Sequence, residues 1–338
     1  MKDKVTISNI AELAKVSKTT VSFYLNGHFH KMSEQTRDRI RQAIEATGFQ
    51  PNAAARSLNA KETRLLGVII GDITNGFANQ LIKGLSDYAR QRDYQLILGS
   101  SEFCSKYEQK YVQSMYNMGV DGFLIQPTPQ FDAMWKEMGI EKPLVYFDSP
   151  PLDTDEMYVK TNSYQAVYDA IHLAAERGYT HFVLVTADPD FVVTRQERVN
   201  GFLDCLDQLG IGYDRIPADR ETDVGQLRKT LVELCETHEN LCIFAVNNWL
   251  LKKVYTALED YRDRIPEKLG LLGVDAFEWN DMVYPSITTI VQPAEAEGIA
   301  AGKLLIDAIE GKRTGETQKI LPCQLREQTS TQKPRQQE

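Results

Sequence analysis

The chain has 338 residues, enough for two or three domains, and its hydrophobic content of 42% suits a globular protein with large cores. The net charge of −9, taken whole, argues against a nucleic-acid partner. The charge is uneven, however: residues 1–64 carry 11 Lys and Arg against 6 Asp and Glu, so the remainder holds −14, and any phosphate contact belongs to the N-terminal segment.

That segment opens with VTISNIAELAKVSKTTVSFYL, from Val5 to Leu25. Its spacing predicts a helix from about Ser8 to Lys15, with Ile10, Leu13 and Ala14 on one face and Ile7 leading into it. Val16-Ser17 breaks the pattern. A second helix follows from Lys18 to Leu25, with Val21 and Leu25 inward and Ser17 placed to cap it. Two short helices joined in this way form a helix-turn-helix, whose second helix fits a DNA major groove. Asn26-Gly27 then turns, residues 28–32 form a loop, and Ser33 caps a third helix from Glu34 to Thr47. Ile40, Ala43 and Ile44 complete the small core, and Gly48 ends the helix. Pro51-Asn52 opens a short segment, Ala53 to Leu58, whose plain reading is a linker.

From Arg64 the texture changes. Apolar runs LLGVII, YQLILG, GFLIQ and PLVYF alternate with helical patterns at 78–90, 106–118 and 131–138. A second series, HFVLV, LCIFAV, KLGLLGV and ITTIV, alternates with helices at 164–177, 195–209, 226–236 and 249–260. Continuous apolar strands between helices predict parallel sheets covered on both faces, here two doubly wound subdomains.

The runs IAELAKVSKTTVSFYLNG, MSEQTRDRI and GFQPNAAARSL together resemble the DNA-binding head of the lactose-repressor (LacI/GalR) family. The resemblance implies an α + α/β protein: a helix-turn-helix head and hinge helix (residues 1–60, hinge about 52–59) followed by an effector core of periplasmic-binding-protein type (62–338). It implies double-stranded operator DNA as partner, read by a homodimer on a pseudopalindrome. Lys18 and Thr19 begin the recognition helix, where side chains meet base edges, although Lys18 serves equally well as a phosphate contact. Ser17, Thr20, Ser22, Asn26 and Ser33 stand where hydroxyl or amide groups hold phosphates. In the hinge, Asn52, Ala55 and Leu58 face DNA, Leu58 matching the leucine that pries open a base step. Two positions depart from the family. Phe23 replaces a common arginine, which exchanges a guanine contact for an apolar group able to meet a thymine methyl. Lys15 replaces the glycine of the turn.

The core resembles the family's sugar-binding fold, which implies a discontinuous split: one subdomain at about 62–161 plus 292–322, the other at 162–291 plus 323–330. Its cleft residues follow motif by motif. TRQERVNGF places Arg198 as the arginine that reaches the ligand, with Arg195 one turn earlier. VNNWL makes Asn247 the amide, with Asn248 in place of an aspartate; GVDAF makes Asp275 the carboxylate for ligand hydroxyls. VYFDSP brings Asp148 to the cleft, and Phe77 follows ITNG as an aromatic. Lys160, in YVKTN, lies near a pocket aromatic of some members. With Arg198 it would bias the cleft toward a sugar acid, in keeping with a resemblance to regulators of 2-keto-3-deoxygluconate or ketogluconate use. Helices 78–90 and 106–118 are the expected dimer face, and 331–338 is expected to be a disordered tail.

Other readings meet obstacles. A nucleotide- or NAD-using enzyme lacks G-x-G-x-x-G after a strand and G-x-x-x-x-G-K-[ST], and the five histidines form no recognisable motif with carboxylates. No cofactor is expected. Five scattered cysteines without a C-x-x-C pair read as structural thiols in a reduced compartment, with no metal site. A transport binding protein would need an export signal, which the polar N-terminus lacks, and no apolar run approaches the ~20 residues that span a bilayer. A cytoplasmic, nucleoid-associated location without a membrane partner is expected.

Overall fold

The computed structural model describes residues 5–25, 27–49, 62–275, 279–312 and 315–333. The chain divides into two compact units, 1–63 and 64–338.

In the first unit, α1 (Ile7–Leu13) starts at Thr6, whose hydroxyl and backbone N–H both engage Asn9 in a capping box. α2 (Lys18–Leu25) is capped by Ser17, whose hydroxyl accepts the Thr20 N–H at 3.1 Å. α3 (Glu34–Thr47) is capped by Ser33 in the same way and ends at Gly48 with φ +63°. Ile10, Ala11, Ala14, Val21, Ile40 and Ala43 are buried as one core. Leu13 departs from the expected pattern: it is 60% exposed, because Ala11 rather than Leu13 turns inward once the helix begins at Ile7. Lys15 adopts the left-handed φ of +53° that the family's glycine would supply. The expected hinge at 52–59, with Asn52, Ala55 and Leu58, lies outside the described residues, as does Asn26.

The second unit holds two six-stranded sheets. β1 (Leu65–Ile70), β2 (Gln95–Ser100), β3 (Gly122–Ile125), β4 (Leu144–Phe147) and β5 (Met157–Thr161) belong to the first. β6 (His181–Thr186), β7 (Tyr213–Pro217), β8 (Leu241–Ala245), β9 (Leu269–Val274) and β10 (Thr288–Val291) belong to the second. The chain then returns to give β11 (Gln318–Leu321) to the first sheet and β12 (Gln324–Arg326) to the second. The orders are β11-β5-β4-β3-β1-β2 and β12-β10-β9-β8-β6-β7, parallel throughout except for β12 on β10. All residues of β3, β4, β8 and β9 are buried, as helices on both faces require. The helices are α4 (Gly76–Arg90), α5 (Ser105–Asn117) and α6 (Phe131–Met138) in the first lobe, and α7 (Ser163–Glu176), α8 (Val193–Leu209), α9 (Val224–Thr237) and α10 (Asn248–Ala257) in the second.

One more helix, α11 (Ala294–Ile309), returns to the first lobe and packs on α4. Their backbones touch: a Cβ on Gly298 would stand 2.0 Å from the Leu81 carbonyl oxygen, and one on Gly84 2.1 Å from that of Glu295. The sequence reading named no helix here, because Gly298 and Gly302 are weak helix formers although, with Ala301, they form the buried seam. It also passed over β5 and β7. β7 is an edge strand whose one buried residue is Ile216, too little for an apolar run. The chain end is also more ordered than expected. Ser330 and Thr331 are buried, the Ser330 hydroxyl donating to Leu271 O and accepting from Thr288 N, and Lys333 donates to Asn240 Oδ1 at 2.9 Å. No helix among the described residues is long and apolar enough to cross a membrane.

Candidate functional site

The exposed face of the head follows from its capping. With Ile10, Ala14 and Val21 inward, Lys18 and Thr19 at the start of α2 are exposed, and Ser17 and Ser33 present their capping hydroxyls at the surface. Ser17 and Thr20 share a hydrogen bond of 2.8 Å, so phosphate binding would exchange that bond for an anionic acceptor. Ser22 is half-buried. Phe23 is neither free nor idle: its ring lies 4.4 Å from Lys31 Nζ in a cation–π contact and meets His28 edge-on. It ties the 28–32 loop to the recognition helix while leaving a half-buried apolar edge.

The second site lies within the core, where strands of both sheets end. Asn75, Phe77, Gln126 and Asp148 come from the first lobe, and Arg195, Arg198, Arg220, Asn247, Asn248 and Asp275 from the second, around one cleft. Ligands in open α/β sheets sit beyond the carboxyl ends of strands, where the loops diverge. Asp148 and Asp275 follow β4 and β9 directly, and both take left-handed φ values, +59° and +42°. This strained turn brings the carboxylates to the strand tips.

Asp275 is buried and held on both oxygens: the Gln292 backbone N–H reaches Oδ1 at 2.9 Å and Gln292 Nε2 reaches Oδ2. Burial pushes its pKa up to about 6, against the pull of those two bonds and of nearby Arg198. Arg198 is buried and donates to Val246 O at 3.2 Å. Asp148 accepts from Gln126 Nε2 at 2.7 Å, from the Ser149 hydroxyl at 2.8 Å and from Thr194 across the cleft. Behind it Glu297 accepts the Asp148 N–H at 2.7 Å. Glu297 is fully buried, and burial first, then the Asp148 charge, holds it well above the usual carboxylate range. Asn247 Oδ1 is buried with no partner among the described residues. Such an orphan acceptor is costly unless a ligand donor meets it. Phe77, 3% exposed, sits in the first turn of α4, behind the cap made by Asn75.

Contacts across the mouth hold the lobes together. Asp72 pairs with Arg220, Asn248 Nδ2 donates to Asn75 Oδ1 at 2.8 Å, and the Ser149 and Thr194 hydroxyls meet beside the Asp148 carboxylate they both reach. Phe103 and Phe191 meet edge to face, with centroids 5.8 Å apart.

Five of the six expected cleft residues, Phe77, Asp148, Arg198, Asn247 and Asp275, therefore meet in one place. Lys160 does not: it is on β5, away from the lining, and its ammonium is paired with Glu197 of α8. The pair neutralises it, so Lys160 gives the cleft no positive charge. Sequence reasoning missed Phe103 and Arg220, which reach the site on loops without a motif, and gave no role to Gln126 and Trp249, which stand inside the quoted runs GFLIQ and VNNWL. It also read the histidines as unrelated to carboxylates. His181 and Asp214 are bonded at 2.8 Å across neighbouring strands, and the His238 ring stacks on His181 at 3.6 Å. The three could hold a metal ion by proximity, but they sit at the start of β6, the opposite end of the strand from the cleft.

A basic head that presents a recognition helix, followed by a two-lobed core with a polar cleft, defines a ligand-controlled transcriptional regulator. Comparison with known proteins agrees. Residues 6–52 match the bacterial regulatory proteins of the lacI family, and 171–331 match a periplasmic binding protein-like domain. The probable HTH-type transcriptional regulator EndR of Paenibacillus polymyxa is 30% identical over 315 residues, 91% of each chain. The HTH-type transcriptional regulator KdgR of Bacillus subtilis is 26% identical over 315 residues, 91% of this chain and 92% of that one. The lac repressor dimer bound to operator and the anti-inducer ONPF superposes with a TM-score of 0.84 at 18% identity, over 97% of this chain and 99% of that one. The chain belongs to the LacI family of DNA-binding transcriptional regulators.

Proposed function

We propose that this protein is a repressor that binds a pseudopalindromic operator as a homodimer and is controlled by a small carbohydrate in the core cleft. The observation that carries the reading is the convergence of Asp148, Arg198, Asn247 and Asp275, each from a different strand end or helix, around one cleft. Two carboxylates, a guanidinium and an amide offer the acceptors and donors that vicinal hydroxyls need, and Phe77, Phe103 and Trp249 supply apolar faces for a sugar ring. In the head, exposed Lys18 and Thr19 would read base edges, and Ser17, Thr20, Ser22 and Ser33 would hold phosphates. Phe23 would pack on a thymine methyl rather than pair with guanine. The hinge residues Asn52, Ala55 and Leu58 would complete the contact in the minor groove. Domain limits would follow the expected split, with 62–161 and 292–322 in one lobe and 162–291 and 323–330 in the other. Helices α4 and α5 would form much of the dimer face. The protein would act in the cytoplasm at the nucleoid and have no catalytic role.

The test is fluorescence anisotropy on pseudopalindromic DNA from the gene's own promoter region, at two salt concentrations, followed by addition of sugars, sugar acids and sugar phosphates. A steep fall of affinity with salt and reversal by one carbohydrate are expected. Sequence-independent binding that no carbohydrate alters would overturn the proposal.

A further inference from the structure

The far end of the second sheet, away from the cleft, gathers a different chemistry. Among the described residues, His181, Asp214 and His238 each bring one ligand atom to within 4.8 Å of the other two. They belong to three segments that only the fold unites: His181 opens β6, Asp214 is the second residue of β7, and His238 follows α9. His181 Nε2 stands 2.8 Å from Asp214 Oδ2 across the parallel pair β6–β7. The His238 ring lies flat on that of His181, with centroids 3.6 Å apart and planes 3° from parallel. Asp214 forms no ion pair with a lysine or arginine among the described residues, so an imidazole alone answers its charge.

A second feature points to a cation. His238 also lines a surface pocket walled by Glu236, Glu239, Asp263 and Glu267 against Arg264 and Lys268, four carboxylates to two basic groups. A recess of that sign concentrates cations beside the histidines. The ligand types narrow the choice: two imidazoles with one carboxylate suit zinc and its neighbours, whereas calcium and magnesium take oxygen. A tetrahedral zinc ion holds its ligand atoms about 3.3 Å apart, so the 2.8 Å pair has to open by about 0.5 Å and the His238 ring has to tilt out of its stack. Both movements have room. His238 is half-buried past the end of α9, and Gly212 presents no Cβ to His181, where one would stand 3.3 Å from Nδ1.

We propose that His181, Asp214 and His238 form a binding site for a divalent transition-metal ion of the zinc class, with water in the fourth position. The site is independent of the cleft and of its carbohydrate reading. It has a structural use: β7 is an edge strand with Ile216 as its one buried residue, and an ion on Asp214 fastens that edge to β6 and to the turn after α9. No local motif announces it, because the three ligands meet only once the sheet has formed.

The experiment is calorimetric titration of the full chain, freed of metal with a chelator, with Zn²⁺ and separately with Mg²⁺. Melting temperature is a second readout, and the visible absorption of Co²⁺ in place of zinc reports the geometry. One Zn²⁺ per chain should bind with a Kd of about 1 μM or tighter, and a saturating excess should raise the melting temperature by a few degrees. Co²⁺ should show the strong bands of a four-coordinate ion. His238→Ala and Asp214→Asn should each weaken Zn²⁺ binding at least tenfold. Asp214→Asn keeps the size of the side chain and a hydrogen-bonding group for His181, so its metal-free melting temperature should match that of wild type. His28→Gln with His30→Gln, in the head, should change nothing; those rings form a second close pair, 6.0 Å apart. Absence of saturable Zn²⁺ binding, equal affinity for Mg²⁺, or Zn²⁺ binding untouched by His238→Ala and Asp214→Asn overturns the site. So does binding lost with the head substitutions instead. A large fall in metal-free melting temperature in both sheet-end variants would make the trio a structural cluster and contradict the proposal.

Discussion

The first lobe reaches the cleft with three amides (Asn75, Gln126 and Gln292), two aromatic rings (Phe77 and Phe103) and Asp148; the second reaches it with three arginines, two amides, Trp249 and Asp275. The folds of the two lobes are alike, six-stranded and doubly wound, and the chemistry is not. The difference follows from what lies behind each wall. Asp148 is fixed by Gln126 and, through its backbone N–H, by buried Glu297 on α11, so the carboxylate of the first wall is held rigidly. The second wall is a helix start with guanidiniums around it, a set of donors. Neither wall alone satisfies a ligand rich in hydroxyls. Closing one on the other does, and contacts such as Asp72 with Arg220 bias the lobes toward that closure by no more than about 1 kcal/mol each, since the pair is partly exposed.

The largest effect should come from moving the first wall bodily. Gly298→Ala would put a Cβ against the Leu81 carbonyl, which cannot yield without shifting α4 and its cap at Asn75. A loss of about 3 kcal/mol in urea unfolding of the core is expected, at the upper end for overpacking. Removing the central donor of the second wall comes next. Arg198→Ala should weaken effector binding by about a hundredfold, some 3 kcal/mol, because it leaves Asp275 buried without its countercharge. Calorimetry on the folded variant reads this.

A subtler contrast is in protons. The Asp275 pKa is raised in the folded state to about 6, so the burial penalty of its carboxylate is absent below the unfolded value near 3.8 and grows as pH rises through 6. Ligand hydroxyls need the ionised acceptor. Affinity should therefore fall as pH drops below 6, about tenfold per unit once the group is protonated, and Asp275→Asn should flatten that dependence. Isothermal titrations between pH 5 and 8 check it. The smallest effect belongs to the head. Lys15→Gly should stabilise it by about 0.5 kcal/mol, by relieving the left-handed backbone at φ +53° less the entropy of glycine. Hydrogen exchange of the α1 and α2 amides measures it.

How legible each region was in the sequence depended on the range of its contacts. The head reads well because caps and core positions lie within four residues of each other, as Ser17 with Thr20 and Ser33 with Thr36 show. Leu13 misled because a one-residue shift of the helix start exchanges it for Ala11. The two sheets were visible as continuous apolar runs, and the strands that escaped, β5 and β7, are partly exposed. In the cleft, residues that follow strands within short motifs were found. Arg220 and Phe103 arrive on loops whose position only the fold sets. Lys160 was misjudged because its partner Glu197 lies 37 residues away, a pairing that no local pattern encodes. Glu297 sits in a helix whose glycines disguised it.

The central claim is that chemistry in the cleft controls DNA binding by the head. It is tested most directly by measuring operator affinity with and without the effector for wild type and for Arg198→Ala, by anisotropy under one salt condition. The account predicts that the effector changes wild-type operator affinity at least tenfold, and that Arg198→Ala binds the operator but no longer responds. An equal response in both proteins would place the control elsewhere and contradict it.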